Sequence, residues 1–277
     1  MSRDISSASK TEAVYHKQDA LLTLSAKVEA CFPFSELAED MKPLFKGASA
    51  ETDHVLVMNR TVFYAQGGGQ PADVGTVRSI SDNGSSSSTF TVKGVRKSPG
   101  DTILHLGAFD DNNGEPFAAG TEVQQSVDEA TRTLHCKLHD GGHVVSLAVR
   151  RLASSIPNVA ELKAQHYPGS SFVEFQGHIG GEHKEAIEKA SNDMIAEDLP
   201  IEVRWWTPEE LREKCWSVPE GLKLPEGEEL ARAVDVVGAG AYACGGTHMR
   251  TTGQLGGIVI RKIARQKGIS KISYALK

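Results

Sequence analysis

His139 and His143 stand four residues apart in the stretch LHDGGHVV, and Cys244 and His248 stand four apart in ACGGTHM. On a helix, residues i and i+4 are neighbours, so two imidazoles at that spacing can reach one ion. A cysteine and a histidine with glycines between them can fold into a tight chelating loop. Three imidazoles and one thiolate suit tetrahedral Zn2+. His135 lies four residues before His139 on the same helical face, so either neighbouring histidine pair is eligible. Gly141 and Gly142 separate the histidines and cost roughly 1 kcal/mol each in helix propensity. That cost implies a face where substrate or another backbone approaches closely.

The elements that must carry these residues are legible from pattern. Short strands are expected in LLTLSAKVEACF and in HVLVMNRTVFY, the second running into the glycine cluster GGGQPADVG. SDNGSSSST, 81–89, reads as a hairpin tip between VGTVRSI and FTVKGVRK, and short strands with turn signals up to Leu106 fit an antiparallel barrel or curled sheet. DDNNGEP, 110–116, reads as a second loop, followed by a helix over 129–153 that holds the histidines. Beyond it, HYPGSSFVEFQG reads as a strand and KEAIEKASNDMIAE as an amphipathic helix. WTPEELREK carries a capping box, with Thr207 as N-cap, Pro208 first and Glu210 reaching back. GGIVIRKI and KISYAL read as strands around a Lys267-Gly268 turn.

The fold class expected is α+β. Residues 1–10 read as a disordered tail, 11–125 as a small antiparallel β-barrel-like domain bearing the glycine-rich motif, and 126–277 as a two-layer α/β zinc-binding domain. A chain of 277 residues is long enough for cores that need no staples. The apolar runs break too early for a membrane span, the N-terminus lacks an apolar secretion core, and cytoplasm is the expected location. Cys31, Cys136, Cys215 and Cys244 are scattered and do not form a disulfide framework. The net charge of −6 argues against indiscriminate nucleic-acid binding. From Met249 onward, however, the sequence has Arg250, Arg261, Lys262, Arg265, Lys267, Lys271 and Lys277 and no acidic residue. That stretch is either a phosphate-contacting surface or a pair of edge strands protected by lysines.

HDGGHVVSLAVR followed by CGGTHMRTTGQLGG, with FYAQGGGQPADVG upstream, resembles the alanyl-tRNA editing domain, in particular the free-standing AlaX-type editing proteins. The three motifs follow the family's order and intervals, and the resemblance runs from Thr11 to the C-terminus. It implies His139, His143, Cys244 and His248 as the metal ligands, with His135 a neighbour behind them. It further implies that Gly67, Gly68 and Gly69 let backbone approach the terminal ribose or the ester, that Gln70 offers an amide there, and that Thr61 reads a serine hydroxyl. Ala65 and Ala243 stand where the family often has proline, and Asp140 where it has a small polar residue. None of these departures removes a ligand.

The activity implied is hydrolysis of the ester joining a wrong amino acid to the acceptor end of tRNA(Ala). A pocket for alanine rejects serine by only about a hundredfold, so a second, hydrolytic site is needed. No GxxxxGK[ST] signature for ATP is present, and the protein would act in trans on tRNA already charged. Two rivals remain. HDGGH differs from the metallopeptidase HExxH by Asp140, which is one methylene shorter and reaches a zinc-held water poorly. A non-catalytic, zinc-stabilised module for binding tRNA or protein would use the same ligands to hold the fold.

Overall fold

The computed structural model describes every residue except 1–9, 81–87, 111–115, 217, 219–223 and 225–228. The expected tail, and most of the two loops expected at 81–89 and 110–116, lie outside the described residues. Two compact units are formed: one runs to Gly67 and resumes over Pro71–Arg132, and the other takes Gly68–Gln70 with Thr133–Lys277. No described helix is long and apolar enough to cross a membrane.

In the first unit, β1 (Glu12–Ala13) pairs in parallel with β4 (Arg60–Thr61). A closed antiparallel barrel is made by β2 (Thr23–Pro33), β3 (His54–Met58), β5 (Gly75–Ser79), β6 (Thr89–Lys97), β7 (Ile103–Phe109) and β8 (Glu122–Val127), in the order β2-β3-β7-β6-β5-β8. Closure depends on long strands that change partner at a bulge. β2 pairs with β8 through Lys27 and with β3 from Val28, its register shifting between Val28 and Ala30. The extra residue bends the strand and tightens its twist.

β3 is buried on both faces. Leu56 and Met58 join Phe63, Val77, Phe90 and Val123 in one core, while Val55 and Val57 join Phe32, Phe34, Leu37 and Phe45 in another. The segment over 34–48 thus gives the outward side of β3 an apolar cover of its own, consistent with the period-2 alternation of a strand.

His105 is fully buried in this unit. Its Nδ1 lies 3.1 Å from the Leu56 carbonyl and its Nε2 lies 2.8 Å from Thr61 Oγ1. With the proton on Nδ1, both nitrogens are satisfied and the ring is neutral. Burial lowers its pKa from 6.5 to about 4. Below pH 6.5 the unfolded chain gains a proton that the folded one refuses, so stability is lost as pH falls from 6.5 to about 4. The loss expected from this group is about 3 kcal/mol. A His105→Gln variant should flatten that limb in urea unfolding followed across pH.

The second unit is built around α1 (Glu129–Arg151) from Thr133 onward, and residues 138–149 of this helix are all buried. A four-stranded antiparallel sheet contains β9 (Ala160–Gln165), β10 (Phe172–Gln176), β14 (Ile258–Gln266) and β15 (Ile269–Leu276), ordered β14-β15-β10-β9. Val144, Val145, Leu147 and Ala148 of α1 pack with Val173, Phe175, Ile260 and Ile272 of that sheet and with Ile187 and Met194 of α2 (Lys184–Ala196). β14 and β15 turn at Lys267-Gly268, both at positive φ (50° and 78°), the conformation that a two-residue hairpin requires.

A second sheet orders β11 (Ile201–Trp206), β12 (Ala231–Val236) and β13 (Gly240–Ala243). Between β11 and β12, α3 (Pro208–Lys214) starts with the expected capping box. Thr207 accepts from the Glu210 amide at 3.3 Å and Glu210 accepts from the Thr207 amide at 3.0 Å.

Candidate metal centre

Two segments of the second unit bring four donors together. Helix α1 supplies His139 and His143, one turn apart on one face. The turn after β13 supplies Cys244 and His248. One ligand atom from each of the four lies within 4.8 Å of all the others. Cys244 Sγ is 3.3 Å from His139 Nε2 and 3.5 Å from His248 Nε2. Ligands at zinc–nitrogen and zinc–sulfur bond lengths around a tetrahedron lie roughly 3.3–3.8 Å apart. The donor set and its spacing therefore fit one tetrahedral ion.

Two further observations support the fit. His143 Nε2 is buried with no hydrogen-bond partner among the described residues, which is costly unless an ion takes the lone pair. The Gly246 amide donates to Cys244 Sγ at 3.4 Å, a bond that favours thiolate. His135 is buried but is not one of the four.

The ligands are held from behind. Gln70 Oε1 lies 2.7 Å from His139 Nδ1, which leaves Nε2 to face the ion. Gln70 is itself fixed, its Nε2 donating to Thr247 Oγ1 at 2.7 Å and its Oε1 accepting from the Thr247 amide at 3.1 Å. Both ends of the amide are thus engaged, and holding His139 is the work this geometry supports for Gln70.

Asp140 does the same for His248. Its Oδ1 lies 2.5 Å from His248 Nδ1 and its Oδ2 accepts from the Met249 amide at 2.7 Å. In sequence Asp140 is only a departure from the family's small polar residue; in space it is the carboxylate that orients a ligand. An Asp140→Asn protein is expected to bind zinc 10–100-fold more weakly, about the usual cost of losing such a partner. Competition against a chelating dye measures it.

Electrostatics agree with these assignments. Burial opposes ionisation of Cys244, but His139 and His248 outweigh it and hold the thiol well below its usual range. Burial also lowers His139. For His248 burial works downward, yet the Asp140 carboxylate and the Cys244 thiolate raise it to about 10 in the metal-free protein.

Sequence reasoning missed His166. Its ring stacks on His139 with centroids 4.6 Å apart and 13° between planes. Its Nδ1 lies 2.7 Å from Tyr274 Oη, whose proton goes to the Leu138 carbonyl at 2.7 Å. Burial pushes its pKa down to about 3, so the ring is a neutral wall beside the cluster. The signal available was the loop HYPG after a strand, which by itself specifies nothing.

The two helix glycines are now explained by side chains. A Cβ on Gly142 would lie 2.3 Å from His166 Cε1 and 3.0 Å from Tyr274 Oη, and one on Gly141 would lie 3.2 Å from the Tyr274 ring. Gly142→Ala is expected to cost about 1–3 kcal/mol through overpacking, read from urea unfolding, and to displace His166. Gly246 does the same in the CGGTH turn, where a Cβ would meet His139 Cε1 at 2.2 Å.

In the glycine-rich motif, Gly69 has φ +80° and comes against the Ala164 carbonyl, while Gly68, φ +53°, has open space around it. Gly67 lies in the first unit, its carbonyl accepting from the Tyr64 hydroxyl at 2.9 Å. Thr61 also lies in the first unit. Its hydroxyl is 2.8 Å from His105 Nε2 and 3.0 Å from Gln125 Oε1, and it accepts from the Phe63 amide at 3.1 Å.

A family model described as tRNA synthetases class II (A) matches residues 3–131. The alanyl-tRNA editing protein AlaX-M of Methanosarcina barkeri is 31% identical over 220 residues, spanning 79% of this chain and 86% of the relative. The chain belongs to the AlaX-type alanyl-tRNA editing family. Alanine–tRNA ligases match as well. That of Methanosphaera stadtmanae is 26% identical over 90% of this chain, and that of Pyrobaculum calidifontis 32% identical over 76%. The chain spans only 28% and 22% of those ligases' own lengths. The chain thus covers most of the editing protein and a minority of each ligase.

Proposed function

We propose that this chain is a zinc-dependent deacylase that hydrolyses the aminoacyl ester of mischarged tRNA(Ala) in trans. Serine is the principal amino acid removed and glycine the second. The observation that carries this reading is the convergence of three imidazoles and a thiolate at single-ion spacing in a member of the editing family. Zinc, when bound, supplies a Lewis acid that can hold and polarise the aminoacyl group.

The chain's own residues do the positioning. Gln70 and Asp140 each fix the Nδ1 side of a ligand histidine, which sets the tautomer and aims Nε2 at the ion. His166 and Tyr274 wall one side of His139 and keep water and side chains from that face. We assign Gly68, with its unobstructed α-carbon, to the approach of the terminal ribose, flanked by Gly67 and Gly69. Thr61 reads the serine hydroxyl in this proposal, which requires that its hydroxyl exchange His105 or Gln125 for the substrate. Serine-specific activity unchanged in Thr61→Val would remove Thr61 from the site.

The experiment is deacylation of Ser-tRNA(Ala), Gly-tRNA(Ala) and Ala-tRNA(Ala) by the purified protein with its zinc content measured. Loss of serine or glycine with alanine retained supports the reading. A folded, zinc-loaded protein that binds tRNA without turnover would instead be a binding module.

A further inference from the structure

The four-stranded sheet has one face on the core and one face outward. On β10, Val173 and Phe175 are buried, so Phe172 and Glu174 point the other way; on β15, Ile272 and Tyr274 are buried, so Lys271 and Ser273 point outward. The register pairs Phe172 with Ser273 and Gln165, and Glu174 with Lys271 and Lys163. Together with the 169–171 turn and Arg261 these residues line a groove of about 520 Å³.

Three cations, Lys163, Arg261 and Lys271, face one carboxylate, Glu174, in this groove. The whole chain by contrast is acidic, at −6. Edge protection accounts for a lysine on β9 or an arginine on β14, because those strands end the sheet. It does not account for Lys271. β15 is a central strand, paired on both sides, and its backbone needs no guarding. Lys271 instead sits with its ammonium 3.4 Å from the centre of the Phe172 ring. Arg261 reaches the Gly169 carbonyl at 3.4 Å, and Lys163 lies 3.3 Å from Glu174 with most of its side chain exposed. Lys163 and Arg261 are exposed and Lys271 is half-buried, and all three line the groove that a polyanion would occupy.

Tyr274 is part of the groove's lining, and the Tyr274 hydroxyl is hydrogen-bonded to His166, whose ring stacks on His139. The Tyr274 ring itself is buried on the core side of the sheet, so the groove and the candidate ligands lie against opposite faces of β15.

We propose that this outer sheet face is the docking surface for the phosphodiester backbone of the RNA substrate, with Arg261, Lys271 and Lys163 meeting successive phosphates. The assignment of RNA rests on the deacylase reading above; the choice of surface rests on the groove. Binding of uncharged tRNA by the full-length protein across a salt titration tests it. Removing one phosphate-binding side chain should lower the slope of log affinity against log salt by about 1, so Arg261→Ala/Lys271→Ala should lower it by roughly 2 and weaken binding at moderate salt.

The charge-conserving Arg261→Lys/Lys271→Arg pair should retain the slope. So should Lys189→Ala, which removes an exposed cation on α2 that is paired with Asp193. A double alanine variant that keeps its melting temperature and zinc content yet shows the wild-type slope would overturn the proposal, as would wild-type protein that does not bind RNA. The two readings fail separately. Binding that depends on Arg261 and Lys271 without deacylation removes the catalytic reading and keeps the surface; deacylation with an unaltered slope removes the surface and keeps the catalyst.

Discussion

A Cys244→Ala protein is expected to lose at least about 100-fold in zinc affinity, since even partners behind the ligands cost 10–100-fold, and to lose deacylation with it. The side chain is central to the cluster: its sulfur is the atom that approaches both His139 Nε2 and His248 Nε2. Without the thiolate, three neutral nitrogens and a gap remain, and the negative charge that helps hold His248 protonated in the metal-free protein is gone.

The same variant is expected to stay folded. Val144, Val145, Leu147 and Val149 of α1 pack with the sheet and α2 in an apolar core of buried residues, against which Cys244 packs only as a partly buried neighbour. Zinc would then stabilise by linkage, growing with the logarithm of its concentration over its dissociation constant, and would not substitute for a core. Cooperative urea unfolding with zinc and turnover both lost is the result that separates a catalytic ion from a structural one. Unfolding of Cys244→Ala at ordinary temperature would instead place this chain with domains that fold only on metal.

The four-donor cluster was legible in the sequence because each half of it is local. His139 and His143 share a helical face, and Cys244 and His248 share a turn, so spacing puts each pair within reach of one ion, while the choice of His143 over His135 comes from the family resemblance. What supports them is not local. Asp140 reaches His248 across 108 residues and Gln70 reaches His139 across 69, and neither separation leaves a pattern. The same distinction explains the elements. The helices α1, α2 and α3 and the β14–β15 hairpin were readable from periodicity, a capping box and a turn dipeptide.

The strand that completes the barrel, β8, was not. Its sequence EVQQSV places Gln125 at a fully buried position, where an alternation of apolar residues would be expected. The amide is tolerated because the Val62 amide donates to Oε1 and the Arg60 carbonyl takes Nε2, both more than 60 residues away. Buried polar groups satisfied at long range break the binary pattern that strand reading relies on.

Replacing Asp73 by alanine is expected to destabilise the protein by about 3–5 kcal/mol, the cost of leaving a buried partner charge uncompensated. Arg132 is 3% exposed and Asp73 wholly buried. Arg132 Nε donates to both Asp73 oxygens at 2.9 and 3.0 Å, Nη2 donates to the Val62 carbonyl at 2.8 Å, and Nη1 donates to the Asp19 carbonyl at 2.7 Å. Asp73 also closes the glycine-rich loop at its base. Its Oδ2 accepts from the Tyr64 amide at 2.6 Å, and its own amide donates to the Tyr64 carbonyl at 3.1 Å.

The stretch between those two residues carries Gln70, so Asp73→Ala should weaken zinc binding as well as stability, through a looser hold on His139. Substituting both charges together, Asp73→Leu with Arg132→Met, removes the uncompensated ion and should restore a large part of the stability. It cannot restore the Tyr64 closure, because leucine has no acceptor for that amide. Urea unfolding and zinc affinity measured on both variants therefore divide the two roles. Stability regained while zinc affinity stays low assigns Asp73 to shaping the loop that delivers Gln70, whereas recovery of both would reduce the pair to packing.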